Sequence, residues 1–205
     1  MSLMADGRPI AARGTLLEAL LAAGVDVPHL CKDDNLPAIG ACRTCLVEAD
    51  GRVVAACATP SEGVREVVMA SGRVAAIRET VLALTSAMQA GDDEEPGGPC
   101  ADEARRAFAP AAGRLARRRV SGGPVDASNP FFVFDEGQCI LCGRCTTACQ
   151  SLQHIGAIGI AGRGRGASVT PGTGVAFHES ICTSCGSCVA ACPTTALRPK
   201  TGGQR

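Results

Sequence analysis

The 205-residue sequence contains no tryptophan, no tyrosine and only five phenylalanines. Aromatic side chains bury the most apolar area, and burial stabilises a fold by about 25 cal/mol per Å². Although 46% of the residues are hydrophobic, many of them are the small residues alanine and cysteine. The fold therefore requires a source of stability besides its hydrophobic core.

The sequence also lacks net charge, a long apolar run and a secretory pattern. Its 20 basic and 20 acidic side chains balance, which removes any overall attraction to nucleic acid. The basic residues within 105–119 have no interleaved aromatics, so we interpret them as a solvated helix face or a contact for an acidic partner. No segment reaches the roughly 18 to 20 apolar residues of a membrane span, and residues 1–13 do not resemble a signal peptide. We expect a cytoplasmic protein that binds neither nucleic acid nor membrane.

Cysteine, by contrast, is abundant, with 13 residues. A cytoplasmic location and an odd total both disfavour disulfides. Two groups share the spacing C-x2-C-x2-C-x3-C: Cys139, Cys142, Cys145 and Cys149, and then Cys182, Cys185, Cys188 and Cys192. Their surroundings repeat as well, because Glu136 and Gly143 recur 43 residues later as Glu179 and Gly186. This is an internal duplication.

The spacing is that of bacterial two-cluster ferredoxins, in which the fourth cysteine of each run binds the cluster held by the other run. It predicts one 4Fe-4S cluster on Cys139, Cys142, Cys145 and Cys192, and a second on Cys182, Cys185, Cys188 and Cys149. Gln150 stands where the second run has Pro193, a departure that removes no ligand. Zinc is the alternative, but a zinc ribbon uses two paired C-x2-C knuckles.

The segments around these runs predict a small sheet. Residues 158–160, 168–170 and 175–177 are expected to form short strands, with residues 162–166 as the turn of a hairpin. The only large side chains available for an aromatic core are Phe131, Phe132, Phe134 and Phe177. The clusters would therefore replace much of the core of this module.

The N-terminal cysteines, Cys31, Cys42, Cys45 and Cys57, are spaced C-x10-C-x2-C-x11-C. The first loop is longer than in plant-type 2Fe-2S proteins, but the close pair and the distant fourth cysteine are retained. Residues 3–12 predict a hairpin turning at Asp6-Gly7, and Thr15 and Glu18 form a capping box. The helix that follows should bury Leu17, Leu20 and Leu21 and stop at Gly24. With strands at 46–48 and 52–55, this pattern indicates a β-grasp domain with a 2Fe-2S cluster, and zinc again is the alternative.

The sequence Pro28-His29-Leu30-Cys31, together with residues 40–48, resembles the 2Fe-2S domain of a family of NAD-linked oxidoreductases. That domain opens the largest peripheral subunit of complex I, the alpha subunit of NAD-linked formate dehydrogenase and the diaphorase small subunit of NAD-reducing hydrogenases. Residues 129–132 and the C-terminal cysteine runs look most like the formate dehydrogenase version. The resemblance covers residues 3–90 and 128–200. It implies an electron relay between a catalytic molybdenum or nickel–iron subunit and a flavin subunit that binds NAD.

Two departures from the family matter. The family places a further 4Fe-4S cluster, held by one histidine and three cysteines, between the two modules. Here that region contains only Cys100, which we interpret as vestigial, so we expect this cluster to be absent. Only 13 residues follow Cys192, so in a complete chain the catalytic site would belong to another subunit.

These observations predict an α+β protein in three parts. Residues 1–72 form a β-grasp 2Fe-2S ferredoxin domain, and residues 129–205 form a bacterial-type domain with two 4Fe-4S clusters. Residues 73–128 combine a helix, whose periodic Val74, Ile77, Val81 and Leu84 dock on the β-grasp, with a flexible charged connector over 91–128.

The remaining residues give no catalytic site. No Ser-His-Asp group and no phosphate-binding glycine loop is evident, and His29, His154 and His178 are interpreted as hydrogen-bonding or packing residues. Arg43 and Arg144 lie inside cluster loops, where a positive charge would favour the reduced cluster. We predict an electron-transfer subunit of a formate dehydrogenase, with a hydrogenase diaphorase subunit, a freestanding ferredoxin and a zinc-stapled interaction module as alternatives. Terminal substrate and direction of electron flow stay open.

Overall fold

The computed structural model describes residues 2–89, 123–172 and 174–200. Cys100, the basic residues within 105–119 and most of the predicted connector lie outside these ranges. The described residues form an N-terminal mixed sheet with one helix packed on it, a second helix, and a C-terminal module of short strands and helices. This arrangement confirms the α+β class. No helix in the described ranges is long and apolar enough to cross a bilayer.

The N-terminal sheet has five strands: β1 (Ser2–Ala5), β2 (Arg8–Ala11), β3 (Leu46–Ala49), β4 (Arg52–Ala55) and β5 (Glu66–Val68). Their order is β2-β1-β5-β3-β4, with β1 and β5 parallel and the other pairs antiparallel. Asp6 and Gly7 join β1 to β2 with φ angles of 44° and 77°. Positive φ at both central residues is typical of a two-residue hairpin turn, and it confirms the predicted turn.

Helix α1 (Leu16–Ala22) covers one face of this sheet and starts at the predicted capping box. The Glu18 amide donates to Thr15 Oγ1 at 3.3 Å, and the Thr15 amide donates to Glu18 Oε2 at 2.8 Å. Leu17 and Leu20 are buried as predicted, but Leu21 is exposed and Leu16 is buried instead. The reason is that Leu16 is anchored against the loop after β4, where its amide donates to the Thr59 carbonyl at 2.8 Å.

Strand β5 was not predicted from the sequence. Only three residues long, it has one buried side chain, Val67, to mark it. Asp50 holds its start, because the Asp50 carboxylate accepts hydrogen bonds from the Arg65 and Glu66 amides. Such a short strand is defined by its neighbours on both sides, and its own alternation of residues is too brief to signal it.

The C-terminal module contains a three-stranded sheet and a separate hairpin. The strands are β6 (Val125–Asp126), β7 (Phe132–Asp135), β8 (Ile158–Ala161), β9 (Ser168–Pro171) and β10 (Leu197–Pro199). The sheet has the antiparallel order β10-β7-β6, and β8 pairs antiparallel with β9, which confirms the predicted hairpin.

The strand predicted at residues 175–177 is wrong, because Phe177–Glu179 forms a 3-10 turn. The Phe177 amide donates to Oδ2 of Asp126 at 2.9 Å and so pairs with a side chain instead of a strand. Phe177 is buried and meets Phe132 edge to face with the ring centroids 5.0 Å apart, and Phe134 at 6.1 Å. Phe131, also predicted in this core, is 66% exposed. Side chains alternate along a strand, and the inward positions of β7 belong to Phe132 and Phe134.

Two short helices begin within the cysteine triplets, and each contains the third cysteine of its triplet. Helix α3 (Arg144–Thr147) continues into a π-helical turn, Ala148–Leu152, and α4 is Ser187–Ala191. The residue before each helix is a glycine with φ of 80°, Gly143 and Gly186. Glycine adopts this conformation without steric cost, which allows the cysteine loop to turn sharply into the helix.

Helix α2 (Gly72–Ser86) contacts both modules. Val74 lies in the β-grasp core, with Ile77 packed beside it, as the helical periodicity predicts. Leu84, however, is 56% exposed, and Leu82 and Ala83 are the buried residues at this end. They pack against the C-terminal module, so the buried face of the helix changes along its length.

Candidate iron–sulfur centres

The four N-terminal cysteines come together at one edge of the β-grasp. Cys31 and Cys42 lie on the loop between α1 and β3, Cys45 directly precedes β3, and Cys57 lies in the 3-10 turn Ala56–Ala58 after β4. Cys31, Cys45 and Cys57 are buried and Cys42 is half-buried. The Cys42 amide donates to the Cys31 sulfur at 3.5 Å. The structure thus brings the four N-terminal cysteines together, and their role as ligands of a 2Fe-2S cluster stays a prediction.

Hydrogen bonds within this set separate the pKa values of the thiols. The Cys42 thiol donates to Cys31 and lowers the pKa of Cys31 to about 2, and Cys57 likewise lowers the pKa of Cys45 to about 6. The same interactions raise the pKa values of the donors, Cys42 and Cys57. These hydrogen bonds favour the thiolate at Cys31 and Cys45, and the thiolate is the form in which cysteine binds metal.

A half-buried cation beside this site was missed by the sequence analysis. Arg78 of α2 donates from Nη2 to the Met69 carbonyl at 3.1 Å and also to the Leu46 carbonyl. Burial lowers the pKa of Arg78, and the nearby Cys45 thiolate opposes this effect. The sequence marks Arg78 only as one basic residue on the inner face of helix α2, which does not by itself predict a contact with the cysteine site. Arg78 fixes the backbone immediately after Cys45.

The first cysteine run shares a cavity with the last cysteine of the second run. Cys139, Cys142, Cys145 and Cys192 line one small cavity whose other walls include Phe134, Val169 and Leu197. Burial raises the pKa of Cys139 to about 11 and that of Cys142 to about 12, and it raises the pKa of Cys145 well above its ordinary value. Binding of iron would therefore release protons from these thiols.

The second run forms the mirror arrangement. Cys182, Cys185, Cys188 and Cys149 line a second small cavity together with Phe132, Ile155 and Ile158. Backbone amides point at the sulfurs, with Ala157 donating to Cys149 at 3.2 Å and Ser184 donating to Cys182 at 3.4 Å. Cys185 is the one exposed cysteine among the described residues.

These two cavities suit iron–sulfur clusters. Each is walled by apolar side chains and presents four sulfurs, the donor set of a 4Fe-4S cluster. Amide-to-sulfur hydrogen bonds at such a site stabilise negative charge on the ligands. Among the residues that the structure describes, no group of three or more His, Cys, Asp or Glu side chains forms a ready site for a single metal ion.

The histidines lie outside the three cysteine sets. His29 Nδ1 hydrogen-bonds the Val27 carbonyl at 2.6 Å, His178 is exposed beside Glu179, and His154 is exposed with a φ of 54°. Asn129, which precedes β7, is buried and donates to the Ser184 hydroxyl at 2.8 Å. It braces the loop of the Cys182 run and was not singled out as a supporting residue.

Family models match both modules. Residues 1–71 match the 2Fe-2S iron-sulfur cluster binding domain, and residues 138–196 match the 4Fe-4S dicluster domain. A chain in the crystal structure of NAD+-reducing [NiFe]-hydrogenase in the H2-reduced state superposes with a TM-score of 0.85 at 30% identity, over 98% of this chain and 88% of that chain. The chain therefore belongs to the family of iron–sulfur proteins that combine a 2Fe-2S domain with a 4Fe-4S dicluster domain. Its described modules are the 2Fe-2S domain and the 4Fe-4S dicluster domain.

Longer relatives contain the same iron–sulfur region. The chain is 32% identical over 216 residues to "Putative formate dehydrogenase YrhE" of Bacillus subtilis, covering 98% of this chain and 21% of that protein. It is 30% identical over 176 residues to NADPH-Fe(3+) oxidoreductase subunit alpha of Geobacter sulfurreducens, covering 80% of this chain and 20% of that protein. The iron–sulfur protein thus spans about a fifth of the length of these curated relatives.

Proposed function

We propose that this iron–sulfur protein is an electron-transfer subunit that relays electrons through one 2Fe-2S and two 4Fe-4S clusters. The observation that carries the proposal is the assembly of three sets of four cysteines. The ligands would be Cys31, Cys42, Cys45 and Cys57 for the 2Fe-2S cluster, Cys139, Cys142, Cys145 and Cys192 for one 4Fe-4S cluster, and Cys182, Cys185, Cys188 and Cys149 for the other. Bound there, the clusters would supply one-electron redox chemistry.

The three sets lie in series. Cys31 and Cys42 of the first set pack in one cluster of side chains with Cys142 of the second. The second and third sets share the C-terminal core, where Cys145 and Cys149 pack with Cys188 and Cys192. At the far end Cys185 is exposed. Such a series supports a path through the protein with one end open to a partner.

The assembly that we favour is a soluble NAD-linked formate dehydrogenase. The protein would pass electrons between a catalytic molybdenum subunit and a flavin subunit that binds NAD. The likeness to YrhE and the motifs around residues 129–132 favour formate. The second candidate is the diaphorase of an NAD-reducing hydrogenase with a nickel–iron subunit, which the superposition on the hydrogenase chain favours.

Metal and sulfide analysis of the anaerobically purified protein tests the cluster assignment. One 2Fe-2S and two 4Fe-4S clusters give about ten iron atoms per chain. About one zinc per four cysteines with little sulfide would refute the relay. A content near 14 iron atoms would show a fourth cluster, contrary to the expected loss of the middle site.

Co-purification tests the subunit role against a freestanding ferredoxin. A tagged chain expressed in its native host should bring down flavin- and molybdenum-containing subunits. The formate and hydrogenase assignments are separated by molybdenum against nickel in the purified complex. Recovery of the cluster-loaded chain alone would favour a diffusible electron carrier.

A further inference from the structure

The cysteine loops of the two modules are packed directly against each other. Leu30 and Cys31 of the N-terminal module form one buried cluster with Ile140 and Cys142 of the C-terminal module. Five residues beyond Cys31, Leu36 packs on the buried Ala148 and Ala191, which lie in the helical segments of the C-terminal module. The distance between the predicted clusters therefore depends on how this contact is held.

Arg144 crosses this contact. It lies between Cys142 and Cys145 in the first 4Fe-4S loop, and its side chain is only 1% exposed. Nη1 donates to the Leu30 carbonyl at 3.2 Å, and Nη2 donates to Oδ2 of Asp33. Leu30 and Asp33 flank Cys31 on either side. One guanidinium group thus hydrogen-bonds both the backbone carbonyl before Cys31 and the carboxylate after it.

Both partners are held in place by the N-terminal module. The Leu30 amide donates to the buried Thr44 hydroxyl at 3.2 Å, and Thr44 lies between Cys42 and Cys45. Oδ1 of Asp33 accepts from the Asn35 amide at 2.9 Å. Arg144 therefore binds a preformed site. This contact keeps the Cys31 loop in a fixed position relative to the loop that carries Arg144.

We propose that Arg144 is a positioning residue that holds the 2Fe-2S loop against the first 4Fe-4S loop and so sets the electronic contact between their clusters. The inference rests on the proposed relay. With both clusters bound, one electron would pass from the reduced cluster, which would be oxidised, to the neighbouring cluster, which would be reduced. No bond is made or broken and no proton moves.

The chemistry of arginine suits this role better than that of lysine. The planar guanidinium reaches two acceptors at fixed angles, whereas the ammonium group of lysine is a single point charge on a flexible stem. The charge of Arg144 is also compensated by Asp33, and removing either partner of a buried pair leaves the other charge uncompensated. Positional and electrostatic roles can therefore be separated by substitution.

The test uses the cluster-loaded full chain and three variants: Arg144→Lys, Arg144→Gln and Asp33→Asn. The readouts are iron content, the reduction potentials, and the magnetic interaction between the reduced 2Fe-2S and 4Fe-4S centres measured by EPR relaxation. All three variants should lose the relaxation enhancement of the 2Fe-2S signal at unchanged iron content. The potential of the first 4Fe-4S centre should fall in Arg144→Gln and rise in Asp33→Asn, because the charge left behind is negative in one and positive in the other.

Arg198→Gln is the matched control. Arg198 also donates to a carboxylate, Asp135 at 3.4 Å, and to a carbonyl, Thr195 at 3.2 Å, but both lie within the C-terminal module. This variant should keep the relaxation enhancement. Equal losses in Arg198→Gln and Arg144→Gln would contradict a specific role for Arg144.

The outcomes separate this inference from the relay itself. Full enhancement in Arg144→Lys and Asp33→Asn would overturn the positioning role while leaving the relay intact. If Arg144→Gln fails to assemble its clusters, the relaxation enhancement in Arg144→Lys and Asp33→Asn decides whether Arg144 has the positioning role. Absence of any magnetic interaction in the unaltered, fully loaded chain would refute the proposed relay.

Discussion

At the scale of single residues, the two arginines in the cysteine loops show how differently similar positions are used. Arg43 lies in the 2Fe-2S loop in a left-handed conformation with φ of 59° and is exposed. Arg144, in the 4Fe-4S loop, is buried between the modules. A charge in solvent is screened and has little effect on a nearby cluster. We therefore expect Arg144 to influence the clusters much more than Arg43.

The exchange of the fourth cysteines leads to a sharp prediction for Cys192. Although Cys192 is four residues from Cys188, it lines the cavity of Cys139, Cys142 and Cys145. Cys192→Ala should therefore remove the 4Fe-4S signal of the Cys139 side, measured by EPR at graded potentials. If the protein works in the proposed NAD-linked complex, reduction of NAD by the physiological electron donor should cease in this variant, while reactions of artificial dyes at either end of the complex should continue. Loss of only the Cys182-side cluster would contradict the crossed ligand sets.

Single cysteines of the N-terminal module provide a second residue-level prediction. Cys45→Ser should remove the 2Fe-2S signal and leave both 4Fe-4S signals, because its sulfur hydrogen-bonds with Cys57 of the same set. The comparison variant Cys100→Ser should retain all three signals, as expected for a vestigial cysteine. EPR of the reduced proteins and iron content measure both results. Cluster loss in Cys100→Ser would show that this residue is a ligand.

At the scale of elements, β6 is tied to the 3-10 turn Phe177–Glu179 by one carboxylate. Asp126 accepts from the Ser128 amide at 2.8 Å and from the Phe177 amide at 2.9 Å. Burial opposes ionisation of this group, but the hydrogen bonds from Ser128 and Phe177 prevail and lower the pKa of Asp126. The strand lies upstream of residue 129, where the dicluster domain was expected to begin, and pairs with β7 inside that module.

Asp126→Asn should lower the free energy of unfolding by about 1 kcal/mol, since the amide cannot accept both hydrogen bonds equally well. Because the folded pKa lies below the unfolded value, the contribution of the carboxylate is complete above the unfolded pKa and is lost as pH falls through the folded one. The stability difference from the unaltered protein should therefore shrink in acid. Urea unfolding of the loaded chain at several pH values measures it. The exposed Asp26→Asn serves as control, and an equal effect there would refute this account.

At the scale of the whole molecule, the clusters are expected to act as the core of the C-terminal module. Its aromatic core consists of three phenylalanines, and much of its buried surface is cysteine. The N-terminal module has a larger aliphatic core, with four leucines and four valines that are at most 1% exposed. The two modules should therefore respond differently when their metal is removed.

Removal of iron by a chelator under oxidising conditions should unfold the C-terminal module first, because metal binding and folding are coupled where the metal supplies the core. Hydrogen exchange should show loss of protection in β7 and β10 while β1 and β3 remain protected. Thermal denaturation followed by circular dichroism provides a second measurement. A C-terminal sheet that stays protected without iron would show that the phenylalanine core is sufficient alone.

What the sequence determined by itself is local. The cysteine spacings, the Thr15 capping box and the hairpin at Asp6-Gly7 each depend on residues within a few positions of one another, so their chemistry can be recognised along the chain. The tertiary structure alone decided the rest. β5 exists as a strand because β1 and β3 bind it on both sides. Phe131 and Leu21 face solvent, and Arg144 is buried, because the packing of distant segments selects which side of an element is covered, a choice that no local pattern contains.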